Sequence, residues 1–371
     1  MAKCSSKTIS DLKKILKPNK FKKIFILTGK NSFFLSGAKN LINKVISTQE
    51  CFYYFKKSKI PVINELIKII IAIKKFNPDL ILAIGGGTVL DYAKIANSID
   101  DIENLENKIK KANYKINKRK PLLTIPTTAG SGAEMTSNAV IYISKIKYSV
   151  ESERLIPDFF LLVPELVIGL KRKFKSSAGF DAIAQSVESL LSKKSNSQSV
   201  LYATKALKLC LSNYIDHIKN PNIDNTLKMC LAASFSGRAI SISKTTAPHA
   251  LSYPFTAHFG INHGHAVSLT FNDFLNFNYE NIVYADCNFN LKSRYKILFN
   301  LTKTSNINEF DMYIKSLKKK ARLETNFKKL NIDINKSIPL ILDGVNLQRL
   351  SNNPVRLKIT DLKSILKKNN E

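Results

Sequence analysis

The chain of 371 residues has few cysteines, few histidines and no long apolar run. Its five cysteines are odd in number, far apart and free of Cys-x-x-Cys spacing, which argues against a disulfide framework or a cysteine-ligated zinc site. The N-terminal segment is basic but lacks the apolar core of a signal peptide, and the apolar runs at 69–73 and 159–170 are short or broken. These absences predict a cytoplasmic protein that contacts no membrane.

Acidic residues are also scarce, with 28 Asp and Glu against 58 Lys and Arg, a net charge of +30. Such a charge is typical of nucleic-acid binding, because a basic surface releases counterions from phosphates. The lysines, however, are spread through most of the chain, and no zinc finger or RNA-recognition signature accompanies them. We therefore favour A/T-rich codon usage as the origin of the charge, which would also help to attract an anionic small substrate.

The first part of the chain alternates between strand-like and helical segments. Three short, continuous apolar runs have the composition of buried parallel strands: Lys22–Gly29, Leu80–Ile84 and Pro121–Ile125. Ile63–Lys74 has helical periodicity, and residues 100–120 are polar enough to form a long solvated excursion. The alternation predicts an α/β domain at residues 1–173, whose ligands collect at the carboxyl ends of the strands.

After about residue 173 the strand signal ends and apolar residues recur at helical spacing. Residues 305–329 predict a charged helix, and Asp361–Lys368 predicts a closing helix. The second domain, residues 174–371, is therefore expected to be all-helical.

Small and hydroxyl-bearing residues follow the second and third predicted strands. They are Gly85, Gly86, Gly87 and Thr88 after the second, and Thr127, Thr128 and Ser131 after the third. A glycine turn before a helix lets backbone N–H groups approach an anion, although tight turns also need glycine for steric reasons. Two strand ends of this kind in one domain favour a nucleotide site.

Four of the five histidines fall in one short stretch of the second domain: His249, His258, His263 and His265. His249 and His263 are 14 residues apart, and the Pro254 and Gly260 between them suit two helices joined by a turn. Upstream, Asp181 and Gln185 are one helical turn apart and share a face. The pattern fits a divalent metal site as well as it fits structural histidines with an unrelated acidic residue.

Four motifs carry a family resemblance over nearly the whole chain. In order they are GGGTVLDYAK, IPTTAGSGAEMTSNAVI, AGFDAIAQSVES and HALSYPFTAHFGINHGHA. Together they resemble the iron-containing (group III) alcohol dehydrogenase family. The resemblance implies a dehydroquinate-synthase-like fold, with a Rossmann-like N-terminal domain that binds NADPH or NADH and a helical C-terminal domain that holds Fe²⁺ or Zn²⁺. We also expect a homo-oligomer, in the simplest case a dimer.

The metal ligands implied by the family motif are Asp181, the position of Gln185, His249 and His263. Gln185 stands where the family pattern has a histidine, and an amide oxygen is a weaker ligand than imidazole, so metal affinity should be lower. Tyr253 stands where many members have a catalytic histidine. Tyr253 and His263 are the expected catalytic residues, with the tyrosine phenol as a hydrogen-bond or proton donor.

The resemblance likewise implies a cofactor site on the first domain. Its expected residues are Gly29, Lys30, Gly85, Gly86, Gly87, Thr88, Asp91, Thr127, Thr128, Ser131 and Lys147. Where NAD-preferring members often have an acidic residue after the first strand, this chain has Gly29 followed by Lys30. Because a lysine can meet a ribose 2′-phosphate, the sequence favours NADPH.

Gln185, the TTAPHALSY segment and NLQRLSNNPVRL near the C-terminus resemble the phosphonoacetaldehyde reductase subgroup of the family. The expected reaction is then reduction of phosphonoacetaldehyde to 2-hydroxyethylphosphonate, with Arg238, Lys244 and Arg349 as candidate anion-binding residues or ordinary surface charges. The alternatives are an alcohol dehydrogenase for short-chain alcohols, a dehydroquinate-synthase-like lyase, and a basic nucleic-acid-binding protein.

Overall fold

The computed structural model describes residues 6–16, 21–46 and 48–368. The residue contacts divide the chain into two compact units. The first unit comprises residues 1–128, 132–170 and 222–230, and the second comprises residues 129–131, 171–221 and 231–371. The domain boundary expected at residue 173 stays a prediction.

The first unit contains a parallel sheet of five strands in the order β2-β1-β3-β4-β7. These strands are β1 Lys23–Gly29, β2 Glu50–Lys56, β3 Leu80–Gly85, β4 Leu122–Pro126 and β7 Phe159–Phe160, and the remaining pair, β5 Asn138–Ile143 and β6 Ile146–Glu151, forms an antiparallel hairpin. The three strands expected from the sequence are therefore present and lie side by side. Their carboxyl ends form one edge of the sheet.

Helices cover both faces of this sheet. They are α1 Ser6–Ile15, α2 Lys30–Leu35, α3 Ala38–Val45, α4 Ile63–Phe76, α5 Gly87–Ser98, α6 Leu105–Lys110 and α7 Pro164–Val167. Along β1, Phe25 and Leu27 pack into one apolar cluster with α4 and α5, whereas Ile24 and Ile26 pack into another with α1 and α3. Because successive side chains of a strand point to opposite faces, a strand buried on both faces is a continuous apolar run.

Two parts of the first unit differ from the sequence-based expectation. Strand β2 was not predicted; it is the edge strand, with no side chain fully buried, and leaves Phe52 and Tyr53 exposed. The segment expected to be a solvated excursion instead contains α6, which buries Leu105 and Ile109 against the sheet's helices. Two apolar side chains four residues apart are enough to dock one short amphipathic helix.

A buried ammonium group holds the segment that follows β4. Lys94 on α5 has no exposed surface, and its three N–H donors are shared among four acceptors at 2.6–3.0 Å: the carbonyl oxygens of Ala133, Thr136 and Asn138 and the Thr136 hydroxyl. Burial lowers the pKa of Lys94 to about 8, although Asp91 and Glu134 oppose the shift. One side chain thus satisfies several buried acceptors of an irregular segment.

Ten helices make up the rest of the described chain. They are α8 Arg172–Leu191, α9 Ser197–Lys219, α10 Ile223–Ser243, α11 Ala247–Phe259, α12 His263–Glu280, α13 Leu291–Thr302, α14 Ile307–Ala321, α15 Ile334–Asp343, α16 Leu347–Leu350 and α17 Ile359–Lys368. The charged helix expected over residues 305–329 ends at Ala321, because Arg322 adopts a left-handed conformation with φ of 58°. No helix of the described residues is long and apolar enough to cross a membrane.

Helix α8 is the most buried long helix of the second unit. Its described side chains are buried from Gly179 to Leu191 without interruption. A helix that is buried all round, and not along one stripe, lies at the centre of its domain. Polar residues on α8 must therefore find partners on the helices around it.

Replacement of Lys94 with methionine should lower the free energy of unfolding by about 3–5 kcal/mol, because the buried oxygens that it serves lose their donor. Chemical denaturation of the purified chain measures the change. Lys68→Met, on the exposed face of α4, is the matched control and should stay within about 0.5 kcal/mol of the wild type. Equal stabilities of the two variants would show that Lys94 does not hold this segment.

Candidate active site

Three helices of the second unit bring one carboxylate and two imidazoles together. Asp181 lies on α8, His249 on α11 and His263 at the start of α12, and one ligand atom of each lies within 4.8 Å of the others. His249 Nε2 is 3.1 Å from Asp181 Oδ1, and His263 Nε2 is 3.9 Å from the same oxygen. Asp181 and His249 are buried, whereas His263 is one-third exposed, which leaves an open side to the cluster.

This donor set fits a divalent cation. Ligand atoms of a tetrahedral zinc site with bonds of about 2.0–2.1 Å lie about 3.3 Å apart. The two separations from Asp181 Oδ1, 3.1 Å to His249 and 3.9 Å to His263, lie near this value. One carboxylate and two imidazoles are also a common ligand set for iron and zinc. Asp181, His249 and His263 can therefore hold such an ion without a large rearrangement.

Gln185 lies one turn after Asp181 on the same helix and is also buried. Its Oε1 lies 2.9 Å from the hydroxyl of Ser236, which is equally close to the carbonyl oxygen of Ala233. A hydroxyl has a single proton to donate, so the two acceptors share it. Gln185 is thus held by α10, and its role as a fourth ligand stays a prediction.

Glu188 is a functional candidate that the sequence interpretation missed. It has no exposed surface, and its Oε1 accepts from the backbone N–H and hydroxyl of Thr246, both at 3.0 Å, while Oε2 contacts Nδ1 of His249. The spacing could have revealed it, because Asp181, Gln185 and Glu188 follow the i, i+4, i+7 pattern of one helix face.

The two carboxylates dominate the electrostatics of His249. Burial alone would lower its pKa, but Glu188 and Asp181, one at each ring nitrogen, raise the pKa of His249 to about 9. Without a metal ion, the ring is therefore expected to be an imidazolium at neutral pH. Metal binding at Nε2 would have to displace a proton.

Tyr253 lies one helical turn after His249, and its ring stacks on that of His263 with centroids 5.7 Å apart. Burial raises the pKa of Tyr253 to about 12; Glu188 and Asp181 add to the effect, whereas Arg349 and a hydrogen bond with Thr245 oppose it. The phenol is therefore neutral across the physiological range and available as a hydrogen-bond donor.

A proline in α11 determines what packs beside Tyr253. Pro254 has no N–H to bond the carbonyl oxygen of Ala250 one turn earlier, and this oxygen instead accepts from the backbone N–H of Asn346 at 3.2 Å. The Asn346 side chain in turn caps α16 by accepting from the N–H of Arg349 at 2.8 Å. Arg349 is consequently buried, and its charge acts on the Tyr253 phenol.

The other candidate residues of this unit lie outside the cluster. The His265 ring is bonded to the Glu324 carbonyl oxygen at 2.6 Å, and His258 lies in the last turn of α11. Arg238 is exposed, with its guanidinium over the ring of Tyr202, and Lys244 is half-buried just after α10. Of the three basic residues expected to bind an anion, only Arg349 is buried and acts electrostatically on Tyr253.

The expected phosphate-binding residues lie on adjacent strand ends of the first unit. Gly85 pairs with Pro126 across β3 and β4, and the N–H of Thr127 donates to the Gly85 carbonyl oxygen at 3.0 Å. A Cβ at Gly85 would lie 2.5 Å from Val89 Cγ2, and one at Gly86 would lie 3.4 Å from Thr128 Cγ2. Position 85 therefore needs glycine for steric reasons. A steric requirement was the alternative to a phosphate site at this turn.

The remaining cofactor candidates are more dispersed. Gly87 and Thr88 begin α5, and Asp91 follows one turn later, where burial raises its pKa to about 6 while Lys94 and Lys147 oppose the shift. Ser131, by contrast, falls in the short segment 129–131 that belongs to the second unit. The roles of these residues stay predictions.

At the end of β1 the structure adds two groups to Gly29 and Lys30. Gly29 is in register with Lys56 of β2, and a Cβ at Gly29 would lie 3.8 Å from Lys56 Cε and 2.9 Å from the Ser32 hydroxyl. Lys30 is exposed beside them. The space left by the missing Cβ is thus bordered by the Ser32 hydroxyl and the Lys56 side chain.

The parallel α/β unit and the helical unit confirm the predicted fold class. The family model for iron-containing alcohol dehydrogenase matches residues 3–164, and the model for the C-terminal part of the Fe-containing alcohol dehydrogenase family matches residues 175–370. The chain belongs to the iron-containing alcohol dehydrogenase family.

Two curated relatives share about a third of their residues with this chain over the matched region. Phosphonoacetaldehyde reductase of Streptomyces viridochromogenes is 33% identical over 226 residues, 58% of this chain and 57% of that protein. 4-Hydroxybutyrate dehydrogenase of Clostridium kluyveri is 30% identical over 226 residues, 59% of each chain. The match therefore spans less than two thirds of the length of these relatives.

Solved structures match over almost the whole chain. Sulfoacetaldehyde reductase from Bifidobacterium kashiwanohense, in complex with NAD⁺, has a TM-score of 0.86 and 25% identity, covering 99% of this chain and 96% of that one. An iron-containing alcohol dehydrogenase from Thermotoga maritima has a TM-score of 0.82 and 21% identity, covering 98% and 95%. The second likeness shows the shared fold.

The cluster depends on a close approach of α8 and α12 at Gly264. A Cβ there would lie 2.0 Å from the Ser177 carbonyl oxygen and 2.8 Å from Asp181 Cβ. Gly264→Ala should therefore separate the helices, lower the free energy of unfolding by about 1–3 kcal/mol and weaken metal retention.

Denaturation and metal analysis of the purified variant measure both effects. Gly169→Ala is the control, because no atom lies within 4 Å of its added Cβ. Metal content and stability equal to those of Gly169→Ala would contradict the importance of this contact.

Proposed function

We propose that the chain catalyses NAD(P)H-dependent reduction of a small aldehyde to a primary alcohol, with phosphonoacetaldehyde as the substrate and 2-hydroxyethylphosphonate as the product. The observation that carries the proposal is the cluster of Asp181, His249 and His263 with the Tyr253 ring stacked on His263. Family membership and the phosphonoacetaldehyde reductase among the relatives support it.

Side chains supply neither a hydride nor a Lewis acid. A bound nicotinamide would supply the hydride, and Fe²⁺ or Zn²⁺ would polarise the carbonyl. Asp181, His249 and His263 would hold the ion, with Gln185 or water completing the ligand set. The carboxylate contributes negative charge, whereas the imidazoles are neutral ligands, so the ion keeps a net positive charge toward the substrate oxygen.

Tyr253 is the proposed proton donor. An alkoxide is a much stronger base than a phenolate, so transfer from the phenol to the reduced oxygen is favourable even though burial raises the pKa of Tyr253 to about 12. Stacking on His263 holds the ring beside the metal ligands. The hydrogen bond with Thr245 and the charge of Arg349 stabilise the phenolate that this transfer leaves.

Arg349 is the proposed partner of the anionic head of the substrate. A guanidinium is charged at every relevant pH and presents parallel N–H donors that match phosphonate oxygens. Its burial next to Tyr253 distinguishes it from Arg238, which is exposed.

We further propose NADPH as the preferred cofactor. The Lys56 side chain borders the space over Gly29, and Lys30 follows Gly29 in the chain, so two lysines could supply positive charge to a ribose 2′-phosphate at the end of β1. The described residues at the end of β1 offer no acidic side chain in this position for a ribose 2′-hydroxyl.

The deciding experiment compares phosphonoacetaldehyde with acetaldehyde, each with NADPH and NADH, on purified protein of measured iron and zinc content. We expect the highest kcat/KM with phosphonoacetaldehyde and NADPH. Equal rates for the two aldehydes would contradict the phosphonate assignment. Product formation without stoichiometric loss of NAD(P)H would indicate the lyase alternative, and no turnover combined with salt-dependent RNA or DNA binding would overturn the enzyme proposal.

Tyr253→Phe should lower kcat by about 10²-fold or more with little change in KM, because positioned proton donors contribute about 10²–10⁴-fold. Steady-state assays at neutral pH test this effect. Tyr295→Phe is the matched control: it removes a buried phenol that donates to the Leu275 carbonyl oxygen at 2.8 Å, away from the cluster. Equal kcat values of the two variants would exclude Tyr253 as the donor.

Arg349→Gln should raise KM for phosphonoacetaldehyde by about 10–100-fold, because a hydrogen bond to a charged group contributes about 1.5–3 kcal/mol. Turnover of acetaldehyde should fall less, since that substrate has no anionic head and loses only the effect of the Arg349 charge on Tyr253. Arg238→Gln is the control and should leave both substrates unaffected. An equal loss of kcat/KM with both aldehydes would contradict Arg349 as the partner of the anionic head.

A further inference from the structure

We propose that Glu188 is a positioning residue that holds a proton on Nδ1 of His249, so that the proton displaced when a metal ion binds is the one on Nε2. The proposal rests on the metal-dependent function proposed above and adds a residue to it. Glu188 does not belong to the ligand cluster itself, because its two oxygens face Thr246 and the far side of the His249 ring.

The two oxygens of Glu188 have different neighbours. Oε1 accepts from the backbone N–H and the hydroxyl of Thr246 at 3.0 Å and lies 3.3 Å from the backbone nitrogen of His249. Backbone N–H groups can only donate, so this position needs an acceptor. Oε2 contacts Nδ1 of the same histidine. One carboxylate therefore contacts both the backbone and the ring of His249.

A carboxylate has no proton to offer, so Nδ1 of His249 must carry one. The opposite nitrogen, Nε2, lies 3.1 Å from Asp181 Oδ1 within the ligand cluster. A metal ion needs a ring nitrogen with a free lone pair, and the bond made by the other nitrogen decides which one that is. Asp181 is also a carboxylate, so Nε2 carries a proton as well while no metal is bound. A metal ion would displace that proton, while Glu188 holds the one on Nδ1.

An amide at position 188 cannot satisfy both sides. If its oxygen keeps the Thr246 donors, its NH₂ group faces Nδ1 and favours the tautomer with the proton on Nε2, which opposes metal binding. If its oxygen turns to Nδ1, the NH₂ group faces buried backbone donors. Glu188→Gln is nearly the same size as the native residue, so it tests protonation and not packing.

A purely structural role, as a cap for the start of α11, makes a different prediction. Thr246 precedes α11, and its hydroxyl contributes one of the bonds to Oε1. Thr246→Val removes that bond and leaves the contact of Oε2 with Nδ1 intact. If the cap were all that mattered, both variants would affect metal affinity through stability alone.

The experiment uses the full chain, stripped with a chelator and titrated with Zn²⁺ or Co²⁺. We expect Glu188→Gln to raise the Kd for the metal by about 10–100-fold, the range typical of residues that orient ligands. Thr246→Val should stay within about threefold of the wild type. A Kd for Glu188→Gln equal to that of the wild type, or matched by Thr246→Val, would overturn the proposal.

A second measurement does not depend on metal. In the metal-free chain labelled with ¹⁵N-histidine, the Nδ1–H proton of His249, identified by its loss in His249→Gln, should give a strongly downfield resonance in the wild type. Its loss in Glu188→Gln supports the proposal, and its persistence there overturns it. If the wild type binds neither ion, the metal-dependent function fails, and this resonance decides the inference about Glu188 separately.

Glu188→Asp provides the rescue variant if the glutamine variant does not fold. It keeps the carboxylate one methylene shorter, so it should retain the Nδ1–H resonance and recover part of the metal affinity. Loss of that resonance in a folded Glu188→Asp would show that the carboxylate charge is not what holds the proton on Nδ1.

Discussion

Two carboxylates buried on one helix are the constraint on which the second unit depends. Asp181 and Glu188 are desolvated on α8, and burial of unpaired carboxylates would cost several kcal/mol each. His249 lies between them and contacts each with a different ring nitrogen. The two buried charges are therefore stabilised only while the start of α11 keeps His249 between them. The ligand geometry and the packing of α8 against α11 thus depend on each other.

The sheet could be predicted from residue patterns, and the ligand cluster from the family motif. Strands such as Leu80–Gly85 are apolar on both faces. The spacing of Asp181, His249 and His263 fitted structural histidines equally well, and the family motif singled out these three residues, which the structure brings together. Strand β2 escaped prediction because an edge strand is only half-buried. Lys94 escaped because a single basic residue gives no sign, in sequence alone, of being buried among partners, whereas Glu188 could have been found from its place on the helix face of Asp181.

Arg349 shows why contacts distant in sequence are harder to foresee. Its placement follows from Pro254, which leaves the carbonyl oxygen of Ala250 free, and from Asn346, which bonds that oxygen almost a hundred residues later. A proline in a helix is visible in the sequence, but the segment that takes the released carbonyl is not. In the sequence, Arg349, Arg238 and Lys244 were equal candidates for anion binding. The structure distinguishes Arg349, because it alone of the three is buried.

The backbone bond between Asn346 and Ala250 also bears on substrate length. It fixes the start of α16 to the middle of α11, so rigid main chain sets the backbone separation of Arg349 and Tyr253. On the proposed function, Arg349 binds the anionic head of the substrate and Tyr253 protonates its reduced oxygen. The number of atoms between those two groups would then be a selection criterion, and an aldehyde with the same head and a longer carbon chain would have to fold back on itself to react.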